Sequence, residues 1–462
     1  MSEPRIICGD AREVLRELPE RSVHCVVSSP PYWGLRDYGL EPVVWGGDGC
    51  EHEWGEEMTQ AQRGQVGSES TLEGGSQRPE SQDGPQSVKQ GAFCRGCNAW
   101  RGSLGLEPTP ELYVGHIVEV MREVRRVLRD DGTLWLNMGD GYASNPAKGG
   151  SGTYNGRNGR GEGYARPLRK AIAQGADVGG WTARSSELRT VDAPPGLKPK
   201  DLLLMPARIA LALQQDGWWL RSDIIWSKPN PMPESVTDRP TRSHEYVFLL
   251  AKSARYFYDA AAIREPHTAG HLQRHLTPSR PRGDSRIASK GAVGHDYLHP
   301  AGRNKRSVWE IATQPYPDAH FATFPEKLVE PCILAGTSEW GCCPECGAPW
   351  VRVVEKGLRA HDGETASAYP KGTTAKRLAL LRQAARERGG EYQNDSRTTG
   401  WRPTCDHGGE PVAAVVCDPF AGSGTVGVVA ARLGRRAVLV DANPDYCAMA
   451  RQRTAQMGLM VT

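Results

Sequence analysis

Long apolar runs are missing from this chain: no stretch approaches the length needed to cross a bilayer. The first residues, Met-Ser-Glu-Pro-Arg, lack a basic stretch followed by an apolar one, so no secretory signal is expected. An excess of charge of one sign is missing too, because a net charge of +3 is too small to indicate a nucleic-acid partner by itself. These absences lead us to expect a cytoplasmic protein with no membrane partner.

The length and composition indicate a globular protein with long loops. At 462 residues the chain exceeds a typical single domain, so we expect one core with sizeable insertions, or several domains. A hydrophobic content of 38% and a charged content of 24% fit a globular fold, and 53 Gly and 34 Pro point to long connections.

Short apolar strands alternate with amphipathic helices along the chain. The strongest helical pattern is Pro110–Arg129, whose apolar residues fall on one face. Such alternation predicts an α/β fold with a mostly parallel sheet that is covered on both faces. The core strands that we predict are Arg5–Gly9, Val23–Ser28, Gly132–Met138, Leu220–Trp226, His244–Leu250, Ala413–Cys417 and Arg436–Val440.

A glycine turn near the end of the chain predicts a site for a nucleoside cofactor. The strand Val415–Asp418 runs into Phe420-Ala-Gly-Ser-Gly424 and a helix, and the next strand ends at Asp441. Glycines let the backbone approach a ligand closely, and an acid at the next strand's end can accept hydrogen bonds from ribose hydroxyls. A dinucleotide site is the alternative interpretation of this turn.

A second motif, Ser29-Pro-Pro-Tyr32, follows the predicted strand Val23–Ser28. The Ser29 hydroxyl and the Pro30 carbonyl can both accept hydrogen bonds from an exocyclic amine, and the double proline stiffens the loop. Tyr32 can stack on a base that has been rotated out of a duplex. The alternative is a Pro-Pro turn with an exposed aromatic side chain, which would be the better interpretation of this motif alone.

Taken together in this order, the two motifs resemble those of the β-class, permuted amino-group DNA methyltransferases of the SPPY type. The resemblance covers most of residues 5–52, 108–142, 197–260 and 305–458. It implies a Rossmann-like AdoMet-dependent methyltransferase fold, circularly permuted, with a mostly parallel seven-stranded sheet and zinc-knuckle insertions. AdoMet is the implied cofactor and double-stranded DNA the implied partner, with a cognate restriction endonuclease as a further candidate partner and a nucleoid-associated location.

The resemblance also assigns residues to the cofactor. The glycine loop would cradle the methionine end of AdoMet, Asp441 would bind the ribose, and Asp10 would lie near the adenine. Asp10 could instead be an ordinary helix cap. The residues implied as cofactor contacts are Asp10, Thr323, Phe324, Asp418, Phe420, Ala421, Gly422, Ser423, Gly424, Thr425 and Asp441.

The catalytic residues implied by the resemblance are Ser29, Pro30, Pro31 and Tyr32. In this family a Ser at the first position is associated mainly with cytosine N4, and Asp or Asn mainly with adenine N6, so we expect a cytosine-N4 enzyme with an adenine-N6 enzyme as the alternative. A 5-methylcytosine enzyme would need a nucleophilic Cys after a Pro on a loop, and no such loop follows a strand here.

Two further residues are similar to the wall of the family's base pocket. Trp226 and Lys228 lie in the segment Trp-Ser-Lys-Pro-Asn at a predicted strand end, near where a flipped base would sit. For Trp226 a buried aromatic side chain that only packs in the core is an equally good interpretation.

Eight residues form two Cys₃His sets with the spacing of zinc ligands. Short Cys-x-x-Cys knuckles allow two thiolates to reach one ion, and each nearby Cys-x-His pair adds a third thiolate and an imidazole. We expect two structural zinc ions rather than disulfides in a cytosolic protein, with unligated thiols as the alternative. The first set is Cys50, His52, Cys94 and Cys97, and the second is Cys343, Cys346, Cys405 and His407. A zinc-containing DNA-binding protein with an inactive methylase core is therefore a third functional hypothesis.

Core and insertion segments alternate along the chain. One insertion contains eight Lys or Arg and five His against two acidic residues between His267 and Arg306, a composition that suits phosphate contacts as well as a solvated loop. The predicted core segments are 1–45, 106–142, 197–264, 307–340 and 411–462. The predicted insertions are 46–105 (first knuckle), 143–196 (Gly-rich and basic), 265–306 (basic, for target recognition) and 341–410 (second knuckle).

Overall fold

A computed structural model describes residues 4–34, 37–61, 87–143, 197–198, 200–267, 301–314, 324–355, 358–360, 392–394 and 397–460. Most of the Gly-rich insertion, most of the basic insertion, residues 361–391 of the second-knuckle insertion and Thr323 lie outside these ranges. Within them, none of the helices combines the length and apolar character that a membrane crossing demands.

The helices are α1 (Ala11–Glu17), α2 (Pro110–Val127), α3 (Met205–Gln215), α4 (Glu326–Gly336), α5 (Thr425–Arg432) and α6 (Pro444–Met460). The strands are β1 (Arg5–Cys8), β2 (Val23–Ser28), β3 (Val43–Trp45), β4 (Met58–Ala61), β5 (Ser87–Phe93), β6 (Trp100–Gly102), β7 (Leu128–Met138), β8 (Trp219–Ser227), β9 (His244–Ala251), β10 (Val308–Glu310), β11 (Val351–Glu355), β12 (Leu358–Ala360), β13 (Tyr392–Asn394), β14 (Arg397–Arg402), β15 (Val415–Asp418) and β16 (Arg436–Asp441).

The chain divides into two compact units. The first comprises 1–30, 118–138 and 210–462, and the second comprises 31–117 and 139–209. The first unit contains the central sheet, in the order β1-β16-β15-β2-β7-β9-β8-β10. Only the two pairs that involve β9 are antiparallel, so the expected mostly parallel sheet is present. In the part of the chain that the structure describes, this sheet has eight strands rather than the predicted seven. The additional strand is β10, which pairs with β8 over only three residues, too few to show a sequence period.

The core of the first unit lies between this sheet and its helices. Strand β2 is buried at every position, as expected for a parallel strand covered on both faces. Helices α4 and α5 pack the apolar side chains Val329, Ile333, Val426 and Val429 against the sheet, and all four are fully buried. This close packing makes β2 and β15, the strands that lead into the two motifs, a rigid part of the core.

The second unit contains a four-stranded antiparallel sheet, in the order β3-β6-β5-β4. The sequence of 46–105 shows little periodicity and gives no indication of this sheet. Strands β4, β5 and β6 nevertheless lie within the segment, and β4 and β5 pair on either side of residues 62–86. Short strands on each side of a long insertion carry no periodic signal, so their pairing is a tertiary effect.

Candidate functional site

The predicted functional residues of the first unit gather at the carboxyl ends of four adjacent parallel strands. Asp10 follows β1, Asp441 ends β16, Asp418 ends β15, and Ser29 follows β2. The carboxyl ends of parallel strands are where α/β sheets bind ligands. Ser28 links two of these ends, because its hydroxyl donates a 2.6 Å hydrogen bond to Oδ1 of Asp418.

The glycine loop is held by backbone hydrogen bonds. The Ala421 N–H donates to the Val440 carbonyl at 2.9 Å, and the Phe420 N–H donates to Asp418 Oδ1 at 3.1 Å. Gly424, in the left-handed conformation with φ +77°, is the N-cap residue of α5. The loop is thus fixed to β15 and β16 and enters α5 through a residue in the left-handed conformation.

Two carboxyl groups, the fully buried one of Asp418 and the partly buried one of Asp441, flank the loop. Burial raises the pKa of Asp418 to about 7, and Oδ2 of this side chain has no hydrogen-bond partner among the described residues. Burial also raises the pKa of Asp441. The two oxygens of Asp441 accept hydrogen bonds from the Gly422 N–H at 2.7 Å and the Asn443 N–H at 2.8 Å. Each carboxylate oxygen has a second lone pair, so Asp441 can accept further donors.

The hydroxyls of Ser423 and Thr425 point to a helix rather than into open space. Arg453 on α6 donates to the Ser423 hydroxyl at 2.9 Å and to the Thr425 hydroxyl at 3.0 Å. A second guanidinium nitrogen of Arg453 lies 3.2 Å from a Glu326 carboxylate oxygen. Arg453 could not be predicted from the sequence, because no local motif marks an arginine that reaches the glycine loop from a helix that begins about twenty residues after it.

Asp10 and Phe324 both have structural contacts. Asp10 is the N-cap of α1, where its Oδ1 accepts from the backbone of Arg12 at 2.9 Å and of Glu13 at 3.4 Å. Phe324 is partly buried and packs against the main core cluster. The cap alternative that we considered for Asp10 is therefore present, and its adenine contact stays a prediction.

The Ser-Pro-Pro-Tyr motif crosses the boundary between the two units, after Pro30. In the second unit, the Pro31 carbonyl accepts a 2.6 Å hydrogen bond from the Tyr113 hydroxyl. The half-buried ring of Tyr32 lies against the backbone of Gly139, where an added Cβ would be 2.5 Å from Cε2. The loop is therefore packed and hydrogen-bonded, unlike a free Pro-Pro turn.

Trp226 and Lys228 are engaged in other contacts. Trp226 is 3% exposed, lies in the main core cluster and donates its indole N–H to the Ile311 carbonyl at 2.8 Å. The Lys228 ammonium lies 4.3 Å from the centre of the Trp226 ring and forms an ion pair with Glu245. Trp226 thus has the contacts of the core alternative, and a base-pocket function for either residue stays a prediction.

Each predicted Cys₃His set comes together as a cluster. In both clusters all four candidate ligand atoms lie within 4.8 Å of one another. In the first cluster, Cys50 Sγ and Cys94 Sγ are 4.0 Å apart, and Cys97 Sγ and His52 Nδ1 are 3.4 Å apart. A tetrahedral zinc ion with ordinary bond lengths places its ligand atoms about 3.6–3.8 Å apart. The donor types and spacing therefore fit zinc.

The second cluster has the same geometry, with Cys343 Sγ and His407 Nδ1 3.9 Å apart. Backbone N–H groups of the knuckle, first that of Cys346, lower the pKa of Cys343 to about 7. In the first cluster the backbone N–H of Cys97 has the leading effect in lowering the pKa of Cys94 to about 6. Thiolates rather than thiols bind metal, so these donors favour the ligating form.

The second knuckle is attached to the strands that carry the motifs. His24 on β2 accepts from the Val415 N–H at 3.1 Å through Nδ1, and its Nε2–H donates to the Gly347 carbonyl at 2.9 Å. Burial lowers the pKa of His24 to about 4, which keeps the ring neutral and suits both bonds. Arg129 donates to the Cys346 carbonyl. Neither residue could be predicted from the sequence, because the spacing of a lone His or Arg carries no signal.

The known proteins to which this chain is similar are described as DNA methylases or methyltransferases. The chain matches the DNA methylase family (N6/N4 methyltransferases) over residues 23–343 and 410–452. It is 33% identical to type II methyltransferase M.XycI of Xanthomonas campestris pv. cyanopsidis over 96% of this chain and 85% of that protein. It is 32% identical to type II methyltransferase M.SmaI of Serratia marcescens over 97% of this chain and 90% of that protein. The family match leaves out 344–409, which contain three of the four residues of the second cluster.

Solved structures give a looser likeness. The PvuII DNA methyltransferase, described as cytosine-N4-specific, aligns with a TM-score of 0.42 and 13% identity over 100% of this chain and 93% of that chain. A DNA modification methylase from Thermus thermophilus, called putative in its description, aligns with a TM-score of 0.37 and 19% identity over 98% and 95% of the two chains.

Proposed function

Because the chain belongs to the DNA methylase family, we propose that it is a site-specific DNA methyltransferase that uses AdoMet to methylate the exocyclic amine of a flipped base, cytosine N4. The observation that carries the proposal is the 2.6 Å hydrogen bond from Ser28 to Asp418. It joins the residue before Ser29 to the last residue of β15, which leads into the glycine loop. Ser28 and Asp418 are 390 positions apart in the sequence, and their contact supports the proposal that the two motifs serve one site.

The residues at the carboxyl edge of the sheet fit AdoMet. Asp441 can accept further hydrogen bonds, as a ribose would require, and the carboxyl group of Asp418 has an oxygen without a partner in the described structure. The backbone of Phe420–Gly424 would hold the methionine end, with Arg453 keeping the Ser423 and Thr425 hydroxyls in place. When bound, AdoMet supplies an electrophilic methyl group on its sulfonium.

The chain's own residues would prepare the amine. The lone pair of an exocyclic amine is delocalised into the base ring, so the amine is a poor nucleophile. The Ser29 hydroxyl and the Pro30 carbonyl would accept its two hydrogens and favour a more tetrahedral nitrogen, while Tyr32 would stack on the flipped base. Transfer would then be a direct in-line displacement that relies on position and electrostatics.

The choice of target rests on Ser29, which in this family favours cytosine N4 over adenine N6. Site-specific methylation, with a cognate restriction endonuclease as partner, is supported by the type II methyltransferase names of the relatives. Double-stranded DNA is the proposed substrate, and the basic residues between His267 and Arg306 would contact its phosphates.

Two structural zinc ions complete the proposal. Each cluster already offers four protein ligands, which leaves no open position for catalysis by the metal. The first would hold the β3-β6 end of the second unit, and the second would hold the knuckle that His24 and Arg129 attach to the central sheet.

The test is incubation with labelled AdoMet and DNA, followed by mass spectrometry of the nucleosides. We expect N4-methylcytosine from the wild-type chain. The Ser29→Ala and Tyr32→Ala variants should lose about a hundredfold or more in single-turnover rate, because positioning the amine supplies much of the catalysis. Ser22→Ala is the matched control and should keep full activity, because among the described residues the hydroxyl of this half-buried side chain bonds only the nearby Pro19 carbonyl.

Each other outcome has a definite meaning. N6-methyladenine would replace the cytosine assignment by the adenine one. Absence of any methylated nucleoside across a panel of DNA sequences would support the DNA-binding protein with an inactive core. Full activity of Ser29→Ala would show that the catalytic assignment is wrong.

A further inference from the structure

A buried network of the second unit holds the peptide that follows Pro30. Tyr113, in the first turn of α2, is fully buried and donates its hydroxyl to the Pro31 carbonyl at 2.6 Å. Burial is the main cause that raises the pKa of Tyr113, so the hydroxyl stays protonated and remains a donor. The proline ring already fixes φ at Pro31, which leaves ψ as its soft torsion. Because ψ sets the direction of the carbonyl, this one hydrogen bond fixes the path of the chain into Tyr32.

The next residues are held by a turn at Gly105. The Gly34 N–H donates to the Gly105 carbonyl at 2.8 Å. Gly105 has φ +94°, and an added Cβ would lie 3.3 Å from both the Pro31 Cβ and the Tyr32 carbonyl oxygen. A side chain at this position would therefore be strained and would press on the motif. The Trp33 indole N–H donates to the Glu107 carbonyl at 2.8 Å, which ties the same turn to the motif a second time.

Glu107 organises this turn from inside the unit. It is 1% exposed, and its Oε2 accepts from the Gly105 N–H at 2.8 Å. Its Oε1 lies 2.9 Å from Nδ1 of the buried His116. Burial raises the pKa of Glu107. The pair shares a proton in either state, because a carboxylate would accept from Nδ1–H and a carboxylic acid would donate to Nδ1.

His116 in turn is stacked on the small sheet that bears the first cluster. Its ring is 4.3 Å from that of Trp45 and 5.2 Å from that of Trp100, both nearly parallel to it. Trp45 on β3 and Trp100 on β6 are direct partners in the sheet. The cluster residues follow β3 and precede β6, so the first metal site lies at the end of the strand pair that supports His116.

We propose that Tyr113, Glu107 and His116 are positioning residues for methyl transfer, and that the sheet closed by the first Cys₃His cluster supports them. The network fixes the path of the backbone through Pro31 and Tyr32. It thereby fixes the orientation of the Tyr32 ring, which would stack on the base. The network does not touch the reacting atoms. The proposal deepens the proposed function and rests on it for its kinetic consequence.

The kinetic test is Tyr113→Phe, which removes one hydroxyl and keeps the ring. We expect the single-turnover methylation rate to fall about tenfold, the equivalent of one hydrogen bond, with the dissociation constant for AdoMet unchanged. His116→Phe keeps the stacking on the two tryptophans but loses the bond to Glu107, and should give a similar loss. In the double variant the losses should be less than multiplicative, because both act on one loop. Tyr256→Phe, in the first unit, is the matched control and should keep the wild-type rate.

A second readout needs no activity. Hydrogen exchange of the amides of Tyr32, Trp33 and Gly34 should become about tenfold faster in Tyr113→Phe, while exchange in the central sheet is unchanged. Wild-type exchange at these amides together with a wild-type rate would overturn the inference and leave the proposed function intact. A wild-type chain that methylates no DNA would refute the proposed function, and the exchange result would still decide whether the network holds the motif.

Discussion

The pKa of the Asp418 carboxyl, next to the glycine loop, can be tested through the pH dependence of the free energy of unfolding. Its carboxyl group is fully buried, its Oδ1 accepts from Ser28 and Phe420, and burial raises its pKa from 3.8 to about 7. A folded-state pKa above the unfolded one means that the folded chain holds a proton that the unfolded chain has released. The protonated Asp418 carboxyl therefore contributes to the free energy of unfolding. This contribution is fully present below the unfolded pKa and is lost as the pH rises through about 7.

The change to test is Asp418→Asn, which keeps an acceptor for Ser28 and Phe420 and cannot ionise. Between about pH 5 and about pH 8 the wild-type chain should lose about 2.5 kcal/mol through this carboxyl, since one pKa unit is worth about 1.4 kcal/mol. The variant lacks this loss. The free energy of unfolding of the variant, relative to that of wild type, should therefore rise by the same amount over that interval. Any pH-independent effect of the substitution shifts this difference equally at every pH and does not change the rise.

The assay is urea denaturation followed by tryptophan fluorescence, at matched pH values, for both chains. Protonation of the cysteine clusters affects the two chains alike and cancels in the difference. Asp223→Asn, at an exposed position of β8, is the matched control for the substitution itself. If the difference between Asp418→Asn and wild type stays constant from about pH 5 to about pH 8, the argument from burial fails.

Three further predictions follow from the contacts around the site. Arg453→Met should weaken AdoMet binding about tenfold by calorimetry, because the loop hydroxyls lose their donor; an unchanged affinity, or an equal loss in the exposed Arg451→Met, would contradict this. Cys343→Ser should remove one of two zinc ions by elemental analysis, whereas Cys342→Ser, beside it and outside the cluster, should keep both. Trp226→Phe should lower the free energy of unfolding by about 2 kcal/mol, from the lost indole hydrogen bond and the cavity left in the core, without changing which base is methylated; a changed target base would support the predicted base-pocket function instead.

Much of the central sheet could be predicted because its signals are local. Buried strands such as β2 and β15 are short apolar runs that end in recognisable loops, so their existence and parallel arrangement follow from the alternation of strands and helices. The short strands β10 and β4 show the limit of this reasoning. Each is a few residues long and exists through its pairing, so periodicity cannot reveal it.

For the site, the sequence by itself supplied the candidate residues that the predicted chemistry needs: the Ser-Pro-Pro-Tyr motif, the glycine turn and the two sets of candidate metal donors. Motif and spacing are enough to find such candidates, because the residues within each motif or knuckle lie close together in the sequence. The tertiary structure alone decided which long-range partners hold these groups. Arg453 reaches the glycine loop, Tyr113 reaches Pro31, and Ser28 reaches Asp418 across 390 positions. Such contacts depend on the register of strands and the packing of helices, which a linear pattern does not encode.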